Sequence, residues 1–248
     1  MSKQNKIKKK YLVTSISNGD INFKFLDSML NYCRHNNAKL IICPTKNFNK
    51  NTSEELQIAL GEYLSFGDVK LNKNIKIVNL RQSEFVTDQT AGLESNMSLI
   101  LPGITQRMRT RARQVSHTPY PLIFQVSGSI NNKPKNYISK SQYKAAENWV
   151  TGAVVVDTIK SGRFHLRNVE FDGDGFQDLG EYYSPENVVD KNIAGLVLGD
   201  LHPGEECPVV MSATYKIIET LKPETLVLHD YFNGHSVSHW TENNRIAR

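Results

Sequence analysis

Residues Ile193 to His202 read IAGLVLGDLH, and residues Thr225 to Asp230 read TLVLHD. Each carries a short aliphatic run that reaches an aspartate, Asp200 in the first and Asp230 in the second. Apolar runs of this length, bounded by polar residues, are expected as buried strands. Between them Pro208 to Leu221 reads as a helix, with Pro208 tolerated in the first turn because that position has no intrahelical acceptor for its missing N–H. Strand, helix and strand over about 30 residues make one βαβ crossover. Its strands run parallel, and ligands collect at their carboxyl ends. Asp200 and Asp230 are therefore expected side by side, with His202 pointing the same way as Asp200 while the strand direction persists.

Two carboxylates and an imidazole brought together, with no basic side chain among them, disfavour one another unless cations neutralise them. Mixed oxygen and nitrogen donors suit manganese first, with magnesium, iron or zinc as alternatives, rather than calcium. Two such ions about 4 Å apart can clamp a phosphoryl group and lower the pKa of a bridging water. The chemistry expected of this cluster is hydrolysis of a phosphoester.

Gly199-Asp200-Leu201-His202 resembles the first motif, G-D-x-H, of the calcineurin-like metallophosphoesterase family, and Asp230-Tyr231-Phe232-Asn233 resembles the second. The longer stretch from His229 to His239 is similar to the version carried by phage-encoded members, among them the pre-early DNases of T5-like phages. The resemblance spans about residues 192–240. It implies that Asp200 and His202 hold one metal and that Asp230 bridges two. It also makes Asn233, His235 and His239 candidates for contacts to the substrate or behind the ligands. His229 stands where the family usually has glycine. The family's later motifs, G-N-H-D/E and G-H-x-H, have no counterpart in this sequence, in which 18 residues follow Asp230. The expected function is that of a metal-dependent phosphodiesterase or DNase, present as an N-terminal fragment that is inactive alone and needs a missing C-terminal portion or a partner chain. The alternative is a non-catalytic nucleic-acid-binding or assembly module of a phage protein.

Upstream, the alternation of elements predicts a parallel α/β region. Tyr11 to Ile16 reads as a strand, and Ile21 to Arg34 as a helix with Phe25, Leu26, Met29, Leu30 and Cys33 on one face. Lys39 to Cys43 reads as a strand, Ser53 to Leu64 as a helix capped by Ser53, and Ile75 to Leu80 as a third strand. Met97 to Ile104 is apolar, Pro119 to Ile130 contains a strand, and Ser141 to Trp149 is a short helix. Thr151 to Ile159 and Arg163 to Phe171 form a hairpin about Lys160-Ser161-Gly162. The expected fold is α/β: an N-terminal α/β region with a β-hairpin insertion over residues 1–190, then the first βαβ unit of a metallophosphoesterase-like sandwich over residues 191–248.

The composition, 39% hydrophobic and 22% charged over 248 residues, is that of a globular protein. The net charge of +5 is unevenly spread. Lys3, Lys6, Lys8, Lys9 and Lys10 form a run that serves solubility, while Arg107, Arg109, Arg111 and Arg113 alternate. In a strand those arginines share a face and become candidates for contacts to a DNA backbone. Three cysteines without paired spacing suit free thiols in a reducing cytoplasm, that of the host if the protein is phage-encoded. No apolar run approaches the roughly 18 residues that span a membrane, and the apolar stretch after the N-terminal lysines is too short for a secretion signal. Phe171 to Asp178 resembles a calcium loop but offers Phe176 where an oxygen ligand is required. Ser127-Gly128-Ser129 reads as a turn, and no phosphate-binding glycine loop is present.

Overall fold

Strand β1 (Ile7–Ile16) directs Tyr11 and Val13 to one side and Leu12 and Ile16 to the other, and all four are buried. The computed structural model describes residues 7–45, 48, 60–79, 96–112, 121–135, 140–201 and 206–229. The chain divides into two compact units: Met1–Asp178 with Tyr182–Val189, and Leu179–Glu181 with Asp190–Arg248.

In the first unit, β1 pairs in parallel with β2 (Ala38–Pro44) and antiparallel with β8 (Gly152–Ile159), which pairs with β9 (Phe164–Glu170). Helix α1 (Phe23–Asn36) lies between β1 and β2 in sequence. The side chain of Asn22 accepts a hydrogen bond from the Phe25 N–H and starts it, and left-handed Asn37 (φ 49°) ends it. Phe25, Leu26, Met29 and Tyr32 of α1 pack with Leu12, Ile16, Leu40 and Val155 on one face of this sheet.

The other face carries Tyr11, Val13, Ile41, Val154 and Val156, which meet Ile75, Ile77 and Ile100 of a second sheet. That sheet has five strands in the order β3 (Val69–Lys70), β4 (Ile75–Ile77), β5 (Ser98–Leu101), β7 (Leu122–Val126) and β6 (Met108–Arg111). The pairs β4/β5 and β5/β7 are parallel and the two outer pairs antiparallel. Helix α2 (Lys140–Glu147) precedes β8. A small sheet of β10 (Phe176–Asp178), β11 (Glu181–Tyr183) and β12 (Val188–Asp190) follows β9.

Two expectations need correction. The strand starting at Ile75 does not extend the β1/β2 sheet; it founds the second one, because β8 takes the remaining side of β1 and the Tyr63–Ser65 segment meets the outer edge of β2 at Ile42. For the same reason the hairpin β8/β9 is no insertion but an integral part of the first sheet, with β8 buried along its whole length. The expected helix over Ser53–Leu64 falls mostly outside the described residues. Lys10, read as part of a solubilising run, lies within β1, where its ammonium donates to Asn36 Oδ1 (2.8 Å) and stands 5.6 Å from the centre of the Tyr32 ring.

A charged clamp crosses this unit. The Arg167 guanidinium grips Asp178 through both carboxylate oxygens (2.6 and 2.9 Å) and donates a third bond to Asp157 (2.6 Å), while the Tyr32 hydroxyl donates to Asp178 (2.9 Å). Burial, then the Asp178 charge and hydrogen bond, raise the Tyr32 pKa well above the ordinary tyrosine value. Burial disfavours the Arg167 charge, yet the bonds to Asp178 and Asp157 outweigh it and hold the group protonated. The Asp172 carboxylate, in the segment that resembled a calcium loop, accepts from the N–H groups of Asp174 and Gly175 and from the Tyr182 hydroxyl, so it serves as a turn brace.

The second unit contains β13 (Gly195–Asp200), α3 (Pro208–Leu221) and β14 (Thr225–His229), with the two strands parallel. The helix has the bounds the sequence predicts, with Pro208 at its start. Its strands are not buried as expected: every residue of β14 is exposed, and Val197 of β13 is 70% accessible. A parallel pair needs cover on both faces, and among the described residues two strands with one helix are too few to supply it. No described helix is long and apolar enough to cross a membrane.

The clamp yields a stability prediction. Asp178→Ala leaves Arg167 and Tyr32 without their shared acceptor and should cost about 3 kcal/mol, as for a broken buried pair. Urea unfolding of wild type and variant measures it, and a loss below about 0.5 kcal/mol would show that the clamp carries no stability.

Candidate metal centre

The site residues the sequence singles out fall at the carboxyl end of the parallel pair. Gly195, Leu196 and Val197 lie opposite Thr225, Leu226 and Val227, and then the register shifts so that Asp200 lies opposite His229. One extra residue in β13 makes this a bulge, a device that re-aims side chains at strand ends. Pairing continues beyond it, since the Leu201 N–H donates to the His229 carbonyl at 3.2 Å. Gly199 lies in the bulge, although a Cβ there would meet nothing within 4 Å.

At the end of the pair, His229 Nδ1–H donates to Asp200 Oδ1 at 2.7 Å. Both side chains are more than half exposed, 63% for His229 and 57% for Asp200. A pair so open to water contributes little to stability, on the order of 0–1 kcal/mol. Its effect is orientation. The Nδ1–H bond fixes the angle of the Asp200 carboxylate, as the groups behind a metal ligand do.

Asp200 also borders a hollow of about 340 Å³ at the start of α3, lined by Leu198, Leu201, Glu206, Cys207, Val210, Met211 and Thr214 among others. Among the described residues, two carboxylates, one thiol and no lysine or arginine line it. The donor types fit a divalent cation. Lining one hollow does not make a centre, for among the described residues no three histidine, cysteine or acidic side chains are placed to hold one ion. His202, Asp230, Asn233, His235 and His239 lie outside the described residues. Sequence reasoning missed Glu206. The signal available was its place just before Pro208, where an acid faces a helix start.

The arginine series lies in the first unit. Arg109 and Arg111 belong to β6 and sit opposite Phe124 and Leu122, so they share one face as expected, and Arg107 precedes the strand. All three are exposed; Arg113 lies outside the described residues. Ser127 and Ser129 are fully buried, with their hydroxyls donating to Gly128 O (2.9 Å) and Asn131 Oδ1 (2.9 Å), so they are structural.

Comparison with family models, with curated proteins and with solved structures finds no match to this chain.

The thiols give a chemical check on this surface. Burial pushes Cys33 and Cys43 up to about 12, which keeps them protonated near neutrality, whereas Cys207 is exposed beside Asp200. One thiol should therefore react rapidly with a maleimide in the native protein and all three after unfolding. Rapid labelling that survives Cys207→Ser would contradict this placement.

Proposed function

We propose that residues 192–240 form one wall of a two-metal phosphodiesterase centre acting on nucleic acid, with Asp200, His202 and Asp230 as metal ligands. The observation that carries this reading is the Asp200–His229 pair, set at the carboxyl ends of adjacent parallel strands joined by α3. That is where a parallel unit presents catalytic groups. It also agrees with the motif resemblance at Gly199-Asp200-Leu201-His202.

In this reading the Asp200 carboxylate holds a cation, and the His229 Nδ1–H bond fixes that carboxylate's angle. The acidic hollow beside it repels a phosphate until the cation is present. When bound, the metal pair supplies positive charge at the phosphoryl group and makes a water more acidic. Manganese is the first candidate on donor type, then magnesium, iron or zinc. Three ligands do not saturate two ions, so water and further donor side chains would complete the coordination. A second reading, a non-catalytic nucleic-acid module, is favoured by the exposed arginines of the first unit.

Manganese titration of the purified chain, followed by electron paramagnetic resonance, tests the assignment. We expect weak binding that Asp200→Ala abolishes and that His229→Ala weakens by about 10-fold or more. Hydrolysis of bis(p-nitrophenyl) phosphate by this chain alone should stay near background. Manganese binding indifferent to Asp200→Ala sinks the ligand assignment, and rapid manganese-dependent DNA cleavage by the chain alone sinks the one-wall description.

A further inference from the structure

The charge of this protein is concentrated in one stretch. Between residues 101 and 150 there are eight lysines and arginines against a single acid, Glu147, a balance of +7, so the remaining residues together carry −2 of the chain's +5. The structure gathers part of that stretch on one border of the five-stranded sheet. Strand β6 is an outer strand paired to β7, and it projects Arg109 and Arg111 from one face about 6.8 Å apart. That spacing is close to the repeat of phosphates along a nucleic-acid strand.

Other elements join it. Arg107, just before β6, donates to Asn148 Oδ1 at the end of α2 (3.2 Å), and the neighbouring Trp149 donates its indole N–H to the Asn131 carbonyl (3.2 Å). The start of β6, the end of α2 and the loop that follows Asn131 are thereby tied together. That loop exposes Lys133 and Lys135, and α2 exposes Lys140 at its first residue. Charges on an outer strand also guard against unwanted strand pairing. That role accounts for Arg109 and Arg111 but not for three lysines off the strand, nor for the near absence of acids.

We propose that the β6 border, with the 132–135 loop and the first turn of α2, is a nucleic-acid docking surface that grips the phosphate backbone without reading sequence. It holds the polymer through point charges on residues that the strand register sets opposite Leu122 and Phe124. The surface belongs to the first unit and does not rest on the metal chemistry proposed for the second.

The test is fluorescence anisotropy of the full chain with a short labelled DNA duplex and with its separated single strand, over a salt series in EDTA. Log affinity should fall linearly with log salt concentration, with little dependence on sequence. Arg109→Gln combined with Arg111→Gln should flatten the duplex slope by about 1.8, or about 0.9 per lost phosphate contact, and Lys133→Gln with Lys135→Gln should act alike. Lys70→Gln, on β3 at the opposite border of the same sheet, should leave affinity unchanged. Circular dichroism confirms that each variant is folded. The proposal is overturned if neither double variant changes affinity or slope, if Lys70→Gln weakens binding as much, or if the chain binds anionic lipid vesicles and not DNA. DNA binding by a wild-type chain that takes up no manganese, or that takes it up equally well with Asp200→Ala, would uphold this surface and reject the metal centre.

Discussion

Strand β1 is covered on both faces, and most of the first unit follows from that constraint. Leu12 and Ile16 face α1, and Tyr11 and Val13 face the second sheet. Each such side chain contributes about 1.5–3 kcal/mol when fully removed from water. A strand buried on two sides must also be hydrogen-bonded along both edges, since water cannot reach its backbone. Strand β2 satisfies one edge in parallel and β8 the other antiparallel. The mixed sheet, the sandwich with β4 and β5, and the helix layer are consequences of protecting these few residues.

Much of the local structure was legible in the sequence because its signals are local. Phe25, Leu26 and Met29 mark the face of α1, and Pro208 marks the start of α3. Partnership between distant strands was not legible. Nothing near Ile75 says that it leaves the first sheet, because that is decided in part by β8, some 80 residues on. Tyr32 escaped notice as a core residue because its hydroxyl looks polar until Asp178 is placed against it. Arg167 lies only 10 and 11 residues from Asp157 and Asp178, but no local pattern says that the two carboxylates are buried and share one guanidinium.

The candidate site divides along the same line. The position of Asp200 at a strand end follows from the aliphatic run before it, whereas the bulge that levels it with His229 does not. His229 was a departure from a motif; in the fold it is the group that orients the aspartate. Glu206 reaches the same hollow only because α3 folds back beside β13. Charge follows its own division: in one unit a hollow whose described lining has two acids and no lysine or arginine, and in the other a stretch with one acid among fifty residues.

The exposure of β14 has a consequence for how the protein behaves in bulk. Leu226, Val227 and Leu228 are each at least 40% accessible, on a strand of high β-propensity without a charged residue until its end. Such a segment adds strands from whatever chain it meets, and its encounters multiply with concentration. Among the described residues, Thr225–His229 is therefore a segment where association between chains can begin without unfolding the well-buried sandwich. Dilution, or a lysine placed at Val227, would be expected to keep the protein dispersed where added core stability would not.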